Sequence, residues 1–526
     1  MKLHDTDHRA VIEYGDFQTP NSFAVSICQK LATFYDLSPD IVLEPTFGTG
    51  SFVRGALSTF HGIKTLYGIE INENYYKTVV QQLKETQLGK TDVEICNENF
   101  FTFDFGGIKK SITLKNSMLI IGNPPWVTNA QLTSLGSSNL PKKNNFKGHS
   151  GFDAMTGKSN FDIAECIILR LLSEFANCNC TLAMLCKSTV AKNLVRDINK
   201  YNFTVSTMDM FVFDAKEIFG VSCDAGLLVA QLGGLGLRTC SVYDFYSNEK
   251  QREFGWVGNL FCADTKSIPL LADIDGKCQF EWRQGIKHDC SKIMELETTD
   301  QLHFQNGIGE TFRFHIGKYV FPLVKSSDIK SLKITKTRKF VIVPQRQINE
   351  DTTQIQYRDS AVWDYLQCHE HYLATRRSAI YKNSPKYSVF GVGDYSFSKY
   401  KIGISGFYKK PVFSLIEGEI PIMVDDTCYF LSFDDQTEAV ITLSLLNSPK
   451  CLAFLSSIVF LDSKRPYTKE VLQRIDLAKL SAMVDFDFVY EFSKPLLVNS
   501  VLDKSDYDQY CLRISAGSAS MLFYDN

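Results

Sequence analysis

The sequence predicts an α/β domain with a mainly parallel sheet in its first half and a second domain of mixed α and β structure. Short apolar runs alternate with helical patterns up to about residue 250, and this alternation then ends. The length of 526 residues also exceeds the usual size of one hydrophobic core. We therefore place two domains at residues 1–250 and 251–526, with the boundary within Asn248–Gly258.

The strands and helices of the first half follow from apolar runs bounded by turn residues and from helical periodicity. The predicted strands are Ile41–Glu44, Thr65–Ile71, Val93–Phe100, Met118–Gly122 and Thr181–Cys186, followed by a strand pair at Met208–Phe213 and Gly226–Leu232. The predicted helices are Ser51–Phe60, Glu73–Leu88 and Phe161–Phe175.

Composition is typical of a soluble globular protein, with 44% hydrophobic and 22% charged residues. No apolar stretch reaches the roughly 20 residues that a membrane span needs, and the polar start Met1–Ala10 does not resemble a signal peptide. We expect a cytoplasmic bacterial protein without membrane contact. The cysteines lack the paired spacing of zinc ligands, so we predict no metal site.

A glycine-containing turn follows the first strand, in the segment Glu44–Gly50. Gly48 and Gly50 allow the backbone to turn tightly and to approach a ligand. Glu70 ends the second strand, where a carboxylate can accept hydrogen bonds from both ribose hydroxyls of a nucleotide. A third glycine and a phosphate-binding GxxxxGK pattern are absent, which disfavours NAD and ATP. Glu44 and Thr46 join these residues as candidate cofactor ligands.

The third strand leads into Asn99 and Phe100. Phe100 could stack on an adenine ring while Asn99 meets the edge of that ring. The alternative is that Phe100 is an ordinary buried phenylalanine.

The fourth strand runs into Gly122–Trp126, which reads Gly-Asn-Pro-Pro-Trp. Two prolines at a strand end remove backbone donors and produce a rigid corner with exposed carbonyls. The segment resembles the (D/N/S)PP(Y/F/W) signature of amino-methylating DNA methyltransferases, and NPPW fits the N6-adenine branch better than the N4-cytosine branch. A Phe-Gln-Thr-Pro element at Phe17–Pro20 precedes the cofactor motifs, which is the motif order of the gamma group of that family.

This resemblance implies a Rossmann-like class I methyltransferase domain that uses S-adenosylmethionine, followed by a mixed α+β target-recognition domain. It implies that Phe17 and Thr19 bind the methionine moiety of the cofactor. Asn99 departs from the family, which usually has aspartate there. By the same resemblance, Asp162 contacts the methionine part of the cofactor, although a helix-surface acid is the alternative.

The chemistry implied for the NPPW motif is direct methyl transfer to an exocyclic amino group. The nitrogen is a poor nucleophile because its lone pair is delocalised into the ring, so two acceptors directed at its N–H groups activate it. The side-chain oxygen of Asn123 and the carbonyl of Pro124 would supply them, with Pro125 holding the corner. Trp126 would stack on an adenine flipped out of double-stranded DNA, and Phe219 on its other face unless Phe219 is a core residue.

Clusters of basic residues predict contact with DNA phosphates. Two lie in the second half, within residues 325–346 and 376–410, and a third lies in the polar segment 129–158, which we expect to close over DNA. The candidate DNA-binding residues are Lys142, Lys143, Lys147, Lys325, Lys336, Arg338, Lys339, Arg376, Arg377 and Lys399. The segment Trp282–Asp289 also resembles family recognition segments.

Other substrates remain open. N4-cytosine methylation uses the same pocket chemistry, and methyltransferases that act on protein glutamine or on RNA are further alternatives. A combined restriction-and-modification enzyme is disfavoured, because Asp462–Lys464 alone is a weak nuclease pattern. We expect a monomer that acts on double-stranded DNA, alone or beside a separately encoded restriction endonuclease.

Overall fold

The structure is a computed structural model that describes residues 17–85, 89–113, 116–128, 162–198, 203–234, 236–461, 463–497 and 500–521, with side chains described up to residue 516. The chain forms two compact units, Met1–Lys266 and Ser267–Asn526. The first unit extends beyond the boundary that the sequence suggested, because three strands between residues 239 and 262 add to its sheet.

The first unit contains one ten-stranded sheet with helices between its strands. The strands are β1 (Ile41–Glu44), β2 (Thr65–Glu70), β3 (Asp92–Asn97), β4 (Met118–Gly122), β5 (Cys180–Lys187), β6 (Val205–Phe213), β7 (Ala225–Leu232), β8 (Thr239–Asp244), β9 (Lys250–Val257) and β10 (Leu260–Cys262). The helices described are α1 (Asn21–Phe34), α2 (Ser51–Thr59), α3 (Glu73–Lys84), α4 (Gly106–Ser111), α5 (Ile163–Glu174), α6 (Ser188–Asp197) and α7 (Ala215–Phe219).

The strand order is β10-β9-β8-β6-β7-β5-β4-β1-β2-β3. Strands β1 to β5 are mutually parallel, whereas β7 is antiparallel to both β5 and β6. The apolar runs of β1 and β4 are buried along their whole length, as expected for parallel strands covered on both faces. The predicted strands are all present with ends within three residues of the observed ones.

The carboxyl ends of β1, β2 and β4 lie at one edge of the sheet. The chain proceeds outward from β1 to β2 and β3, and then returns to place β4 on the other side of β1. In open α/β sheets, ligands bind in the crevice outside the carboxyl ends at such a reversal. The topology therefore brings the segments after β1, β2 and β4 to one cleft.

The second unit contains two sheets. Their strand orders are β11-β21-β18-β19-β16 and β14-β13-β12-β17-β15-β20. The strands are β11 (Arg283–Gln284), β12 (Glu295–Thr298), β13 (His303–Asn306), β14 (Thr311–Arg313), β15 (Val320–Val324), β16 (Lys333–Ile334), β17 (Lys339–Ile342), β18 (Tyr400–Ser405), β19 (Phe413–Glu417), β20 (Met423–Val424) and β21 (Cys428–Phe433).

Short helices accompany these sheets, and longer ones follow in the C-terminal part of the unit. They are α8 (Ser291–Met294), α9 (Ile355–Arg358), α10 (Ser360–Cys368), α11 (Glu370–Ala374), α12 (Gln436–Leu446), α13 (Pro449–Ile458), α14 (Lys469–Leu472), α15 (Leu477–Ser481), α16 (Phe486–Ser493) and α17 (Lys504–Met521). Among the described residues, no individual helix has the length and hydropathy of a membrane span, and only the bent pair α12 and α13 meets those two criteria jointly.

Candidate active site

A cleft of about 840 Å³ opens at the carboxyl edge of the first sheet. It is lined by Phe17, Gln18, Thr19, Glu44, Pro45, Thr46, Phe47, Gly48, Ser51, Phe52, Glu70, Ile71, Asn72, Tyr75, Glu98, Phe100, Phe101, Asn123, Pro125, Ile163 and Ile167. All predicted cofactor ligands except Gly50, Asn99 and Asp162 line this cleft.

The turn after β1 owes its shape to two glycines in the left-handed backbone region. Gly48 has φ 51°, and a Cβ atom added there would lie 2.9 Å from Oε1 of Gln18. That oxygen accepts hydrogen bonds from the backbone N–H of Thr49 at 3.0 Å and from its hydroxyl at 2.7 Å. Gly50 has φ 77° at the start of α2, where an added Cβ would lie 2.9 Å from Val79. Gly50 therefore shapes the turn without lining the cleft.

The Glu70 carboxylate is oriented by backbone donors on both sides of the cleft edge. Its two oxygens accept hydrogen bonds from the N–H of Gly48 at 2.8 Å and from the N–H of Asn72 at 2.7 Å. These bonds hold the end of β2 against the glycine turn. They place an acid at the cleft edge, where the sequence predicted a ribose ligand.

Glu44 is a buried acid, only 2% exposed, in the same cleft. Burial raises the pKa of its carboxyl group well above the usual range, and the charge of Glu70 raises it further. Neither Oε2 of Glu44 nor the hydroxyl of Thr46 has a hydrogen-bond partner among the described residues, although both atoms are buried. Such atoms cost free energy unless a ligand satisfies them.

The turn after β3 differs in detail from the prediction. Oδ1 of Asn99 accepts a hydrogen bond from the N–H of Phe101 at 2.8 Å, so its side chain stabilises a local turn. The preceding residue, Glu98, lines the cleft instead. Phe100 also lines it, and the guanidinium of Arg170 lies 5.2 Å from the centroid of the Phe100 ring.

Asn123 is held by the segment that contains Phe17 and Thr19. Its side-chain nitrogen donates to the carbonyl of Phe17 at 2.8 Å and to the hydroxyl of Thr19 at 3.2 Å. Oδ1 of Asn123 is buried, and it has no hydrogen-bond partner in the part of the chain that the structure describes. Pro125 lines the cleft beside it, whereas Pro124 does not. The corner after β4 thus presents one unsatisfied acceptor.

Trp126 and Phe219 are neighbours, but they contact each other. Their ring centroids are 5.2 Å apart at an interplanar angle of 68°, which is an edge-to-face contact. Trp126 is 5% exposed, and its indole N–H donates to the carbonyl of Leu185 at 3.3 Å. Two parallel rings that sandwich a base would stand roughly 7 Å apart, since stacked atoms approach to about 3.5 Å. In this arrangement the two rings therefore do not form the parallel faces that would stack on a base.

The family resemblance implies that Asp162 contacts the cofactor, but Asp162 does not line the cleft. Its Oδ1 accepts from the N–H of Ala164 at 3.0 Å and so caps the start of α5. Its Oδ2 pairs with Nζ of Lys187 at 2.8 Å. Both oxygens therefore have protein partners.

Two of the predicted DNA-binding cations have internal roles in the second unit. Nζ of Lys325 lies 2.6 Å from Oε1 of Glu295 and 3.3 Å from Oδ2 of Asp425. Arg376 donates to the carbonyls of Leu373 and Ser388 at 3.0 and 2.6 Å. Their charges are engaged within the fold, so the sequence-based assignment of both to DNA contact is not supported by their surroundings.

The carboxylates that hold Lys325 also form a three-residue cluster with His288 that could in principle ligate a metal ion. His288 Nε2 lies 3.4 Å from Oε1 of Glu295. Although burial acts to raise the pKa of Glu295, hydrogen bonds from His288 and Lys325 hold it at about 2. The Lys325 ammonium thus supplies the positive charge that this cluster requires.

The remaining candidate cations differ in their surroundings. Arg338 pairs with Asp328 at 2.9 Å and Lys339 with Glu297 at 2.6 Å. Arg338 is nevertheless exposed, as are Lys336, Arg377 and Lys399, for which no carboxylate pair is described. Lys142, Lys143 and Lys147 lie outside the described residues, as does Phe161, the predicted first residue of a helix.

Sequence reasoning missed several residues that the fold brings to the cleft or its support. Gln18 lies next to a predicted ligand and Glu98 next to another, so the motifs pointed to their segments. Asn72 and Tyr75 come from the start of α3, where an Asn before a helix predicts only a cap. Lys187, at the end of β5, carried no motif signal.

The first unit has a Rossmann-like α/β fold and is followed by a second unit of mixed sheets and helices, which confirms the predicted fold class. A solved structure of the type IIL restriction-modification enzyme MmeI in complex with DNA aligns with 99% of this chain and 74% of its own, with a TM-score of 0.51 and 12% sequence identity. No protein-family model matches the chain.

Sequence comparison identifies the family. The type II methyltransferase M.NspV of Nostoc sp. is 39% identical over 488 residues, which cover 92% of this chain and 100% of the relative. The chain belongs to the type II methyltransferase family.

Proposed function

We propose that the protein transfers a methyl group from S-adenosylmethionine to the N6 amino group of an adenine that is flipped out of double-stranded DNA at a specific site. The observation that carries the proposal is the buried Oδ1 of Asn123 in the NPPW motif, which lies at the wall of the cleft and has no hydrogen-bond partner among the described residues. Buried acceptors are almost always satisfied, so this one fits a donor that arrives with a ligand.

The cleft offers groups of the right chemistry for S-adenosylmethionine. The cofactor carries positive charge, and Glu44 is a buried carboxyl group whose pKa is raised by burial and by the charge of Glu70. Glu70 at the cleft edge suits a ribose, and Phe100 suits an adenine ring. Glu98 is an acceptor in the position that we had assigned to Asn99.

S-adenosylmethionine, when bound, supplies a methyl group that its sulfonium already activates. The protein must therefore position the amino group and polarise it. Oδ1 of Asn123 and the carbonyl of Pro124 would accept hydrogen bonds from the two N–H groups and shift the nitrogen lone pair toward the methyl group. The bonds from Asn123 to Phe17 and Thr19 fix which way its oxygen points.

The DNA would be held by exposed cations of the second unit, among which Lys336, Arg377 and Lys399 are the strongest of our candidates. Arg346 joins them, because it is exposed and its guanidinium lies 4.3 Å from the centroid of the Phe397 ring, which pre-orients it. The solved structure of a restriction-modification enzyme with DNA, cited above for its fold, supports DNA as the substrate class. We propose a monomer, with or without a separately encoded endonuclease.

The test is methyl transfer from labelled S-adenosylmethionine to DNA that lacks methylated adenine and cytosine, followed by mass spectrometry of the nucleosides. N6-methyldeoxyadenosine from the wild type and none from Asn123→Ala is the expected result. N4-methyldeoxycytidine would instead favour the cytosine alternative, for which the same acceptor would serve. No modified nucleoside from protein that binds the cofactor in calorimetry would refute DNA methylation.

A further inference from the structure

Lys187 ends β5 next to the NPPW motif, where it contacts two segments at once. Its Nζ donates to the carbonyl of Trp126 at 2.9 Å and to Oδ2 of Asp162 at 2.8 Å. The Lys187 side chain is 25% exposed and the Asp162 side chain 13%, so this ion pair is largely shielded from solvent. Shielding makes such a pair strong and costly to break.

Strand β5 holds Trp126 at two points. The carbonyl of Leu185 accepts the indole N–H of Trp126 at 3.3 Å, and Lys187, two residues later, binds the main-chain carbonyl of the same tryptophan. One bond fixes the orientation of the ring and the other fixes the backbone that carries it.

Asp162 connects this point to the wall of the cleft. It caps α5 through the N–H of Ala164, and the N–H of Ile163 donates to the carbonyl of Val127 at 2.9 Å. Ile163 and Ile167 of α5 line the cofactor cleft. Lys187 therefore links the tryptophan of the motif to the helix that bounds the cleft.

We propose that Lys187 is a positioning residue for methyl transfer, which sets Trp126 and α5 at the mutual distance that the reaction needs. The inference rests on the proposed function and on the sequence-based expectation that Trp126 contacts the target base. Lys187 does not line the cleft, so it would act through Trp126 and Asp162 and not through the cofactor.

The first variant is Lys187→Met, with Lys109→Met as its matched control. Lys109 pairs with Glu174 at 2.5 Å, at the opposite end of α5, and has no contact with the motif among the described residues. Lys187→Met should lower the single-turnover rate at saturating cofactor and DNA by about tenfold to a hundredfold. Its dissociation constant for S-adenosylmethionine should stay within about threefold of the wild type. Lys109→Met should change neither quantity.

A second variant separates positioning from mere stability. Lys187→Met leaves the Asp162 carboxylate without its cation, and the double variant Asp162→Asn/Lys187→Met removes that unpaired charge. The double variant should regain melting temperature relative to Lys187→Met while its rate stays low, because the Trp126 carbonyl still lacks its donor. Recovery of the rate together with the melting temperature would overturn the inference.

Failure of this inference can be distinguished from failure of the proposed function. An inactive wild type would refute the proposed function before any variant is compared. An active wild type with an equally active Lys187→Met would refute only the role of Lys187.

Discussion

Replacing Asn123 by alanine should separate activity from stability. The substitution removes two hydrogen bonds that its nitrogen donates, to Phe17 at 2.8 Å and to Thr19 at 3.2 Å. Neutral hydrogen bonds contribute about 0.5–1.5 kcal/mol each, so their loss costs about 1–3 kcal/mol. The same substitution removes the buried Oδ1, which has no partner in the described part of the chain and whose burial costs about 1–3 kcal/mol. The two effects nearly cancel, and the free energy of unfolding should change by less than about 1 kcal/mol.

The effect of this substitution on the rate of methyl transfer is not offset in the same way. If Oδ1 of Asn123 accepts a hydrogen bond that strengthens in the transition state, its loss should lower the single-turnover rate by about 10²–10³, or about 2.7–4 kcal/mol. The assay is transfer of labelled methyl groups to DNA at saturating cofactor, with thermal unfolding of the same samples. A change of 1 kcal/mol corresponds to about 2–4 °C in a domain of this size.

Thr19→Val provides the control for this reasoning. It removes only the longer of the two bonds that orient Asn123 and leaves the bond to Phe17 in place. The rate should then fall by less than about tenfold. An Asn123→Ala protein that keeps more than a tenth of the wild-type rate would refute the assignment of Oδ1 as the activating acceptor.

Three further predictions follow from other parts of the molecule. Burial lowers the pKa of Lys401 to about 7, so the free-energy cost of burying its charge is full below pH 7 and disappears as the pH rises toward 10.5. In urea unfolding, Lys401→Met should therefore stabilise the protein by up to roughly 4–5 kcal/mol at pH 6.5 and by much less at pH 9.5. A stability difference that does not depend on pH would contradict this. Glu98→Ala should weaken S-adenosylmethionine binding in calorimetry by about tenfold and more than Asn99→Ala does, because Glu98 lines the cleft; the reverse order would return the role to Asn99. Arg377→Gln with Lys399→Gln should reduce the slope of log affinity for DNA against log salt by about 2 in a filter-binding titration, and an unchanged slope would remove both from the interface.

The local sequence predicted the first unit well, because each signal there is short-range. The apolar run Ile41–Glu44 and the glycines after it lie within a few residues of each other, and the strand and turn formed as expected. The end of the first unit was harder to place. Strands β8 to β10 have no helices between them, so the change of rhythm preceded the real boundary.

The candidate site was predicted through motifs, and the placement of its side chains differs from the prediction by one residue after β3. The motif position indicates Asn99, but the backbone after β3 turns so that Asn99 accepts a hydrogen bond from the N–H of Phe101, and the adjacent Glu98 lines the cleft. A pattern of residue types carries no information on which of two adjacent side chains points into a cleft. That depends on backbone torsions, which the packed structure sets.

By itself the sequence determined the α/β class and the segments that meet at the carboxyl edge, and it predicted the NPPW chemistry, since these depend on local periodicity and contiguous motifs. Only the tertiary structure decided which partner each charged side chain has. Lys325 is paired with Asp425, which is distant in sequence, and Lys187 is paired with Asp162. A lysine in a basic run has the same local signal whether its partner is a phosphate or a carboxylate, because the partner is chosen by the way remote strands pack.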